Sequence, residues 1–394
     1  MEALLVDTMT TPSSAAPQIL IADDQPAVLD ALRLLLKQEG YQVEAVTSPA
    51  AIVRAVETRT FDLLLMDLNY TRDTTSGREG LDLLARIQAL DRTLPVIIMT
   101  AWGSVELAVE ALHGGGGDFV LKPWDNNRLL TILRTQLEQG KARREAQRRQ
   151  SKKEILIGEV QEAREIQRGL LPGEIFQPAG YQISGAWQPA ILIGGDYFDV
   201  FQASETQAAL CVADVAGKGL PAALLMSNLQ AAVRGSAGGA LEPKDVCANV
   251  NSILCTHHVP DKFITCFYAL LDVPHQRLLY TNAGHNPPLL VRHDGSHIRL
   301  RNGGPVLGVF PQWDYEQEVA RLAAGDRLVL FTDGVTEAIN ARDEEFGEER
   351  LIRLVVDSRE LPAQALQAKI LNAVAEFTGG DFQDDATLLV IAVD

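Results

Sequence analysis

Ile19-Leu20-Ile21-Ala22-Asp23-Asp24 sets a pattern that recurs twice in the first third of the chain, at Leu63-Leu64-Leu65-Met66-Asp67 and at Phe119-Val120-Leu121-Lys122. Each is a short apolar run ending on a polar residue suited to phosphoryl chemistry. Near-continuous apolar runs separated by helical stretches mark a parallel sheet covered on both faces, and such sheets bind ligands beyond the carboxyl ends of their strands. Further runs at 42–46 and 96–100 bring the count to five. Residues 18–139 are therefore expected to form a doubly wound, five-stranded parallel α/β domain.

At 394 residues the chain exceeds one ordinary core, so two domains and a linker are expected. Hydrophobic residues make up 46% and charged residues 22%, as in a globular rather than a disordered chain. A formal net charge of −17 argues against generic binding to nucleic acid or to an anionic membrane. No apolar run approaches a membrane span, and the start lacks a signal-peptide pattern, which points to the cytoplasm. Cys211, Cys247, Cys255 and Cys266 form no CxxC motif and read as reduced thiols.

Residues 1–17, with Thr-Thr-Pro-Ser-Ser-Ala-Ala-Pro, read as a loose leader. Residues 140–172 carry no strand signal. They hold the basic stretch Lys141, Arg143, Arg144, Arg148, Arg149, Lys152 and Lys153, and read as a linker helix ended by Pro172. Leu156, Val160, Ala163, Gln167 and Leu170 follow spacings of four and three, an imperfect coiled-coil seam that makes a homodimer an expectation. Residues 173–394 then change character. Strands are expected at 208–215, 263–271, 277–282, 289–293, 327–332 and 386–393, and helices at 222–234, 244–256, 348–357 and 364–378. Short links between successive strands favour antiparallel sheets flanked by helices, an α+β sandwich.

Phosphoryl transfer onto a carboxylate needs a nucleophilic Asp, a divalent cation, and a cation and hydroxyl that hold the product oxygens. Asp67 supplies the nucleophile. Asp23, Asp24 and Asp67 itself, with the Asn69 backbone carbonyl as a further candidate, supply oxygen ligands for Mg2+. Thr100 and Lys122 supply the hydroxyl and the cation, and Lys122-Pro123 fits a cis bond that aims the lysine inward. With Asp118-Phe119-Val120-Leu121-Lys122-Pro123-Trp124, this set resembles the flavodoxin-like receiver domain of two-component response regulators. The resemblance implies phosphorylation at Asp67 by a sensor histidine kinase and a switch formed by Thr100 and Phe119. The chain departs from the family pattern in the long loop 68–77, which lacks the usual proline, and in the glycine run 114–117.

The second half holds five acidic clusters: Gly194-Gly195-Asp196-Tyr197-Phe198-Asp199, Asp214-Val215-Ala216-Gly217-Lys218-Gly219, Asp333-Gly334, Glu344-Glu345 and Asp384-Asp385. Asp214 and Asp333 fall at strand ends and Asp384-Asp385 at a strand start, so these three are expected to converge on one edge, while Glu344-Glu345 reads as a solvated helix start. Converged carboxylates repel unless cations neutralise them, and oxygen-only ligands favour Mg2+ or Mn2+. A pair of such ions is the logic of metal-dependent phosphoester hydrolysis. The glycines at 194, 195, 217, 219 and 334 would let backbone approach the ions.

Together with Tyr280-Thr281-Asn282-Ala283-Gly284-His285-Asn286-Pro287-Pro288, residues 163–172 and 332–338, these clusters resemble the protein phosphatase 2C-like (PPM) domains of the sporulation stage II E and sigma-B regulator type. The resemblance implies two Mn2+ or Mg2+ ions held by Asp196, Asp214 (bridging, with the Val215 carbonyl nearby), Asp333 and Asp384, with Asp199 and Asp385 as second choices. Asp214 and Asp333 are then the catalytic pair, and the substrate is a phosphoserine or phosphothreonine protein of the anti-anti-sigma (STAS) type. Lys218 stands where a histidine is often found, so no histidine general acid is assigned there. His285 reads as a polar structural anchor, and His257-His258 lacks a matching ligand cluster.

The expectation is a response regulator whose phosphorylation at Asp67 controls a metal-dependent serine/threonine phosphatase. The alternative is a receiver-controlled docking module with an inactive phosphatase-like domain. A DNA-binding regulator is disfavoured, because no helix-turn-helix follows the receiver.

Overall fold

The computed structural model describes residues 16–70, 78–101, 110, 112–237, 241–256 and 259–394. Two compact units divide it, one up to Ile155 and one from Leu156 onward. Most of the leader, much of the loop after Tyr70, and His257-His258 lie outside the described residues.

In the first unit five parallel strands, β1 (Gln18–Ala22), β2 (Gln42–Val46), β3 (Leu63–Asp67), β4 (Val96–Ala101) and β5 (Asp118–Lys122), lie in the order β2-β1-β3-β4-β5. Alternate residues feed opposite faces. Leu20, Leu64, Met66 and Ile98 pack with Phe61, Leu84 and Ile87, while Ile19, Ile21, Leu65 and Ile97 pack with Leu32, Leu36 and Leu133. Two apolar faces explain why these strands read as continuous rather than alternating runs. The strand order reverses between β2-β1 and β1-β3, and there Asp23 stands just past the carboxyl end of β1 and Asp67 is the last residue of β3, where this topology opens a crevice. Local signals place the helices: α1 (Pro26–Gln38) and α2 (Pro49–Thr58) both begin on proline, and Ser48 Oγ accepts the Ala51 N–H at 3.4 Å. Helix α3 spans Arg78–Leu90. The Lys122-Pro123 bond is cis.

Helix α4 spans Asn126–Leu170, 45 residues, and so covers the whole basic stretch. Leu129, Leu130 and Leu133 bury it in the first unit, and Gln136 Nε2 donates to the Gly117 carbonyl at 3.0 Å. Further along, Arg144 donates to Asp62 Oδ1 at 2.8 Å and to the Phe61 carbonyl.

The second unit stacks two sheets. One runs β13-β10-β9-β8-β7, with β14 (Glu318–Arg321) also paired to β10; its members are β7 (Tyr197–Gln202), β8 (Gln207–Val215), β9 (Ile264–Asp272), β10 (Arg277–Ala283) and β13 (Gly303–Gly304). The other runs β12-β11-β15-β16-β6, from β6 (Tyr181–Gln188), β11 (Leu289–Val291), β12 (His297–Arg299), β15 (Arg327–Phe331) and β16 (Ala386–Val393). All pairings are antiparallel except the short β10–β13 contact. Leu328, Leu330, Leu389 and Ile391 meet Leu210, Val212, Phe267 and Ala269 between the sheets. On the outer faces lie α5 (Leu220–Ser236) with α6 (Pro243–Thr256), and α8 (Glu348–Asp357) with α9 (Ala363–Thr378); a single helical turn, α7 (Asp333–Thr336), follows β15. The expected α+β sandwich is present. Among the described residues no helix is long and apolar enough to cross a membrane.

Candidate metal and phosphoryl sites

At the carboxyl edge of the first sheet, oxygens of Asp23, Asp24 and Asp67 lie within 4.8 Å of one another, the one such group of three or more found among the described residues. Lys122 Nζ donates to Asp23 Oδ2 at 2.6 Å and to Asp67 Oδ2 at 2.7 Å. Burial raises the Asp67 carboxyl, and the Lys122 bonds oppose that rise. Burial works against the Lys122 charge, but its bonds to Asp23 and Asp67 prevail and hold its pKa up. Asn69 N donates to Asp67 Oδ1 at 3.3 Å. Thr100 is fully buried with an unpartnered hydroxyl, and Phe119 packs half-buried against the core. Asp23, Asp24, Asp67, Thr100 and Lys122 thus gather at the carboxyl edge, whereas Phe119 stands at the second position of β5, paired with Ile98. A carboxylate trio with one lysine and an unpaired hydroxyl fits an oxygen-ligated divalent cation and a phosphoryl group.

In the second unit the acids gather where the two sheets meet. Asp214 ends β8 in one sheet, whereas Asp333 follows β15 and Asp384-Asp385 precede β16 in the other. The expectation of a single edge is therefore corrected: antiparallel β15–β16 pairing unites Asp333 with Asp384-Asp385, and sheet stacking brings Asp214 and Asp196 to them. Asp196, 1% exposed, is gripped at Oδ2 by the hydroxyls of Thr387 at 2.6 Å and Thr332 at 2.7 Å. Burial, then Asp214 and Asp385, hold its carboxyl well above the usual range. Asp214 is pushed up to about 7, first by burial and then by Asp333, with a hydrogen bond to Asp196 opposing. Asp333 is raised by burial and by Asp384. Asp385 is raised by burial, against backbone N–H bonds from Ala190 at 2.9 Å and Gly195 at 2.6 Å. Acids that raise one another in this way form a donor set that a divalent cation would stabilise.

Three candidates have other engagements. Asp199 is fully buried and holds Arg234 through both oxygens, at 2.6 and 2.8 Å, and the Tyr197 hydroxyl at 2.6 Å. Its oxygens are committed, so the structure does not bring this second choice into the cluster. Lys218 lies at the rim, 2.8 Å from Asp384 Oδ2. His285, 4% exposed, pairs through Nδ1 with Thr265 Oγ1 at 2.8 Å, and burial lowers its pKa to about 4. It is anchored as a neutral imidazole, in keeping with a structural role. Glu344 and Glu345 are exposed and precede α8.

Sequence reasoning missed the supports. Thr332 and Thr387 carry the Asp196 bonds and pair with each other across β15–β16, with Thr387 N donating to Thr332 Oγ1 at 2.9 Å. A threonine directly before Asp333 and another two residues after Asp385 were the available signal. Gln167, expected in a coiled-coil seam, is instead 3% exposed and bonded twice to Gly194: its Nε2 donates to the Gly194 carbonyl at 2.6 Å and its Oε1 accepts the Gly194 N–H at 3.1 Å. It ties the end of α4 to the loop that carries Asp196. Because partners that orient metal ligands are typically worth about 10- to 100-fold in affinity or activity, Gln167→Ala is expected to weaken Mn2+ binding by that order, read by calorimetry. A second expectation concerns His285, whose folded-state pKa of about 4 lies below the unfolded value of 6.5. Stability from the neutral ring is then full above pH 6.5 and lost as pH falls through 4, about 3 kcal/mol in all at 1.36 kcal/mol per unit. Urea unfolding of His285→Asn should show a flatter acid limb than the parent.

Family models match on both sides: the "Response regulator receiver domain" over residues 19–134 and "Stage II sporulation protein E (SpoIIE)" over residues 204–394. The phosphoserine phosphatase RsbU of Bacillus subtilis is 30% identical over 66% of this chain and 77% of its own length. The chain belongs to the RsbU family. Protein IcfG of Synechocystis is 26% identical over 59% of the chain, which spans only 41% of IcfG. The SiaA-PP2C domain of Pseudomonas aeruginosa superposes with a TM-score of 0.55 at 22% identity, covering 61% of this chain and 98% of that domain, which establishes a shared fold. The chain therefore joins a receiver to a phosphatase domain of the RsbU family.

Proposed function

We propose that phosphorylation of Asp67 controls a metal-dependent protein serine/threonine phosphatase whose centre is Asp196, Asp214, Asp333 and Asp384, with Asp385 in support. The observation that carries this reading is the convergence of buried acids from two sheets, Asp196, Asp214, Asp333 and Asp385, each raised first by burial and further by acidic neighbours, with Asp214 pushed up to about 7. Two Mn2+ or Mg2+ ions at this donor set would supply Lewis-acid activation of water and charge neutralisation of the phosphate. The chain's own part is positional. Thr332 and Thr387 orient Asp196, backbone N–H groups of Ala190 and Gly195 hold Asp385, and Gly195 lets its loop lie against the Val215 carbonyl, which an added Cβ would approach to 3.0 Å. In the receiver, Mg2+ at Asp23, Asp24 and the Asn69 carbonyl, with Lys122 and Thr100, would hold the phosphoryl group delivered by a sensor histidine kinase.

RsbU's name gives phosphoserine as its substrate, and kinship extends that chemistry here to a phosphorylated STAS-type protein. Four free cysteines support a cytoplasmic location. A homodimer through α4 is supported by the exposure of Ile155 and Leu156, 63% and 59%. Incubation of the chain and Mn2+ with a serine-phosphorylated STAS protein should release inorganic phosphate; tight binding without release would establish the docking-module alternative instead.

A further inference from the structure

Three residues beyond Asp67 the receiver unit buries a hydroxyl that bonds to nothing. Tyr70 is 3% exposed and packs with Leu68, Leu83 and Leu84, yet its phenolic oxygen has no hydrogen-bond partner. A buried hydroxyl left unpaired is unfavourable, so its retention calls for an explanation. Burial raises the phenol's pKa, and Asp67, Asp23, Asp24 and Glu79 raise it further, which places the ring in the field of the same acids that frame the candidate phosphorylation site. The phenol stays protonated and is a ready donor. Three other buried side-chain oxygens of the receiver unit are unpaired as well: Asn69 Oδ1, Glu79 Oε2 and Thr100 Oγ1.

The backbone ahead of Tyr70 is fixed. Leu68 N donates to the Met99 carbonyl at 3.3 Å, and Gly80 of α3 packs so closely that an added Cβ would stand 2.5 Å from the Leu68 carbonyl oxygen. A buried donor three residues from Asp67, on a chain segment whose start is pinned and in the field of the receiver acids yet bonded to none of them, is available to an oxygen that arrives with a ligand.

We propose that the Tyr70 hydroxyl donates a hydrogen bond to the phosphoryl group on Asp67, adding a contact to those of Lys122 and Thr100. The inference rests on the reading of Asp67 as the phosphoacceptor. In that transfer an Asp67 oxygen attacks phosphorus, the bond from phosphorus to the donor atom breaks (nitrogen of a phosphohistidine, oxygen of acetyl phosphate), and the leaving group departs with the bonding pair. Tyr70 keeps its proton throughout.

The test uses the full chain with Mg2+ and two probes, beryllofluoride and acetyl phosphate, in the parent, Tyr70→Phe and Asp67→Asn. Since hydrogen bonds to charged acceptors are the strong ones, Tyr70→Phe should bind beryllofluoride about tenfold more weakly and be phosphorylated more slowly by acetyl phosphate. Its Mg2+ affinity should match the parent's and its thermal midpoint without ligand should match or exceed it, because the lost hydroxyl had no partner and was unfavourable to bury. Parent-like beryllofluoride affinity in Tyr70→Phe overturns the proposal, as does a matching loss of Mg2+ affinity and thermal midpoint, which would mark a structural role. If the parent takes up no more phosphoryl group than Asp67→Asn, the reading of Asp67 itself fails.

Discussion

Asp214→Asn is expected to abolish metal-dependent phosphoester hydrolysis while making the metal-free protein more stable at pH 8. Asn keeps the volume of the side chain but removes the charge from the centre of the acid cluster. Metal activation supplies several kcal/mol of transition-state stabilisation, so losing it lowers turnover on the order of 10³-fold or more. Stability moves the other way. The Asp214 carboxyl is pushed up to about 7 from an ordinary 3.8, so the folded state holds its proton more tightly than the unfolded chain does. Its stabilising effect is full below about pH 4 and is lost as pH rises through 7. Above pH 7 the parent must ionise a buried acid that faces Asp333, Asp384 and Asp385, and the Asn variant need not. A gain of a few kcal/mol follows at pH 8, vanishing below pH 4, and Mn2+ should reverse it by stabilising the parent alone. Urea unfolding at pH 4, 6 and 8, with and without Mn2+, measures each part.

Gly334→Ala is expected to disrupt the same centre through the backbone. A Cβ at residue 334 would stand 2.0 Å from the Asp385 carbonyl oxygen and 2.8 Å from its carbonyl carbon. Neither atom is the free end of a flexible side chain. The strain must move α7 or the start of β16, and with it Asp333 or Asp385. Overpacking of a fixed core costs about 1–3 kcal/mol, and backbone against backbone belongs at or above the top of that range. Gly235→Ala is the control: it lies within α5, and an added Cβ there meets nothing within 4 Å. Calorimetry should show a midpoint lowered by several degrees for Gly334→Ala, with metal affinity lost, and an unchanged or raised midpoint for Gly235→Ala.

Much of this architecture was legible because its signals are local. Strands β1, β3 and β4 are buried on both faces and read as unbroken apolar runs, and the candidate receiver residues other than Phe119 stand at or just past a strand's carboxyl end. Asp214 and Asp333 stand likewise at the ends of β8 and β15, and Asp384 just before β16. Strands β6 and β7 were not foreseen, since Tyr181–Gln188 and Tyr197–Gln202 mix polar residues into half-buried strands. Asp199 stood in a motif beside Asp196, yet chain proximity could not reveal that Arg234, 35 residues away, claims both its oxygens. Gln167 matched a heptad spacing, but its bonds to Gly194 depend on where the helix end lands. Tyr70 carried no sequence signal at all, because an unpartnered hydroxyl is visible only once its neighbours are in place.

The most direct test of a receiver-governed phosphatase is the rate of phosphate release from a phosphoserine protein with Mn2+, measured with and without beryllofluoride, in the parent and in Asp67→Asn. A rate that shifts with beryllofluoride in the parent and stays fixed in Asp67→Asn is the predicted result. Equal rates in the parent with and without beryllofluoride, under conditions where its binding is independently verified, would contradict control through Asp67.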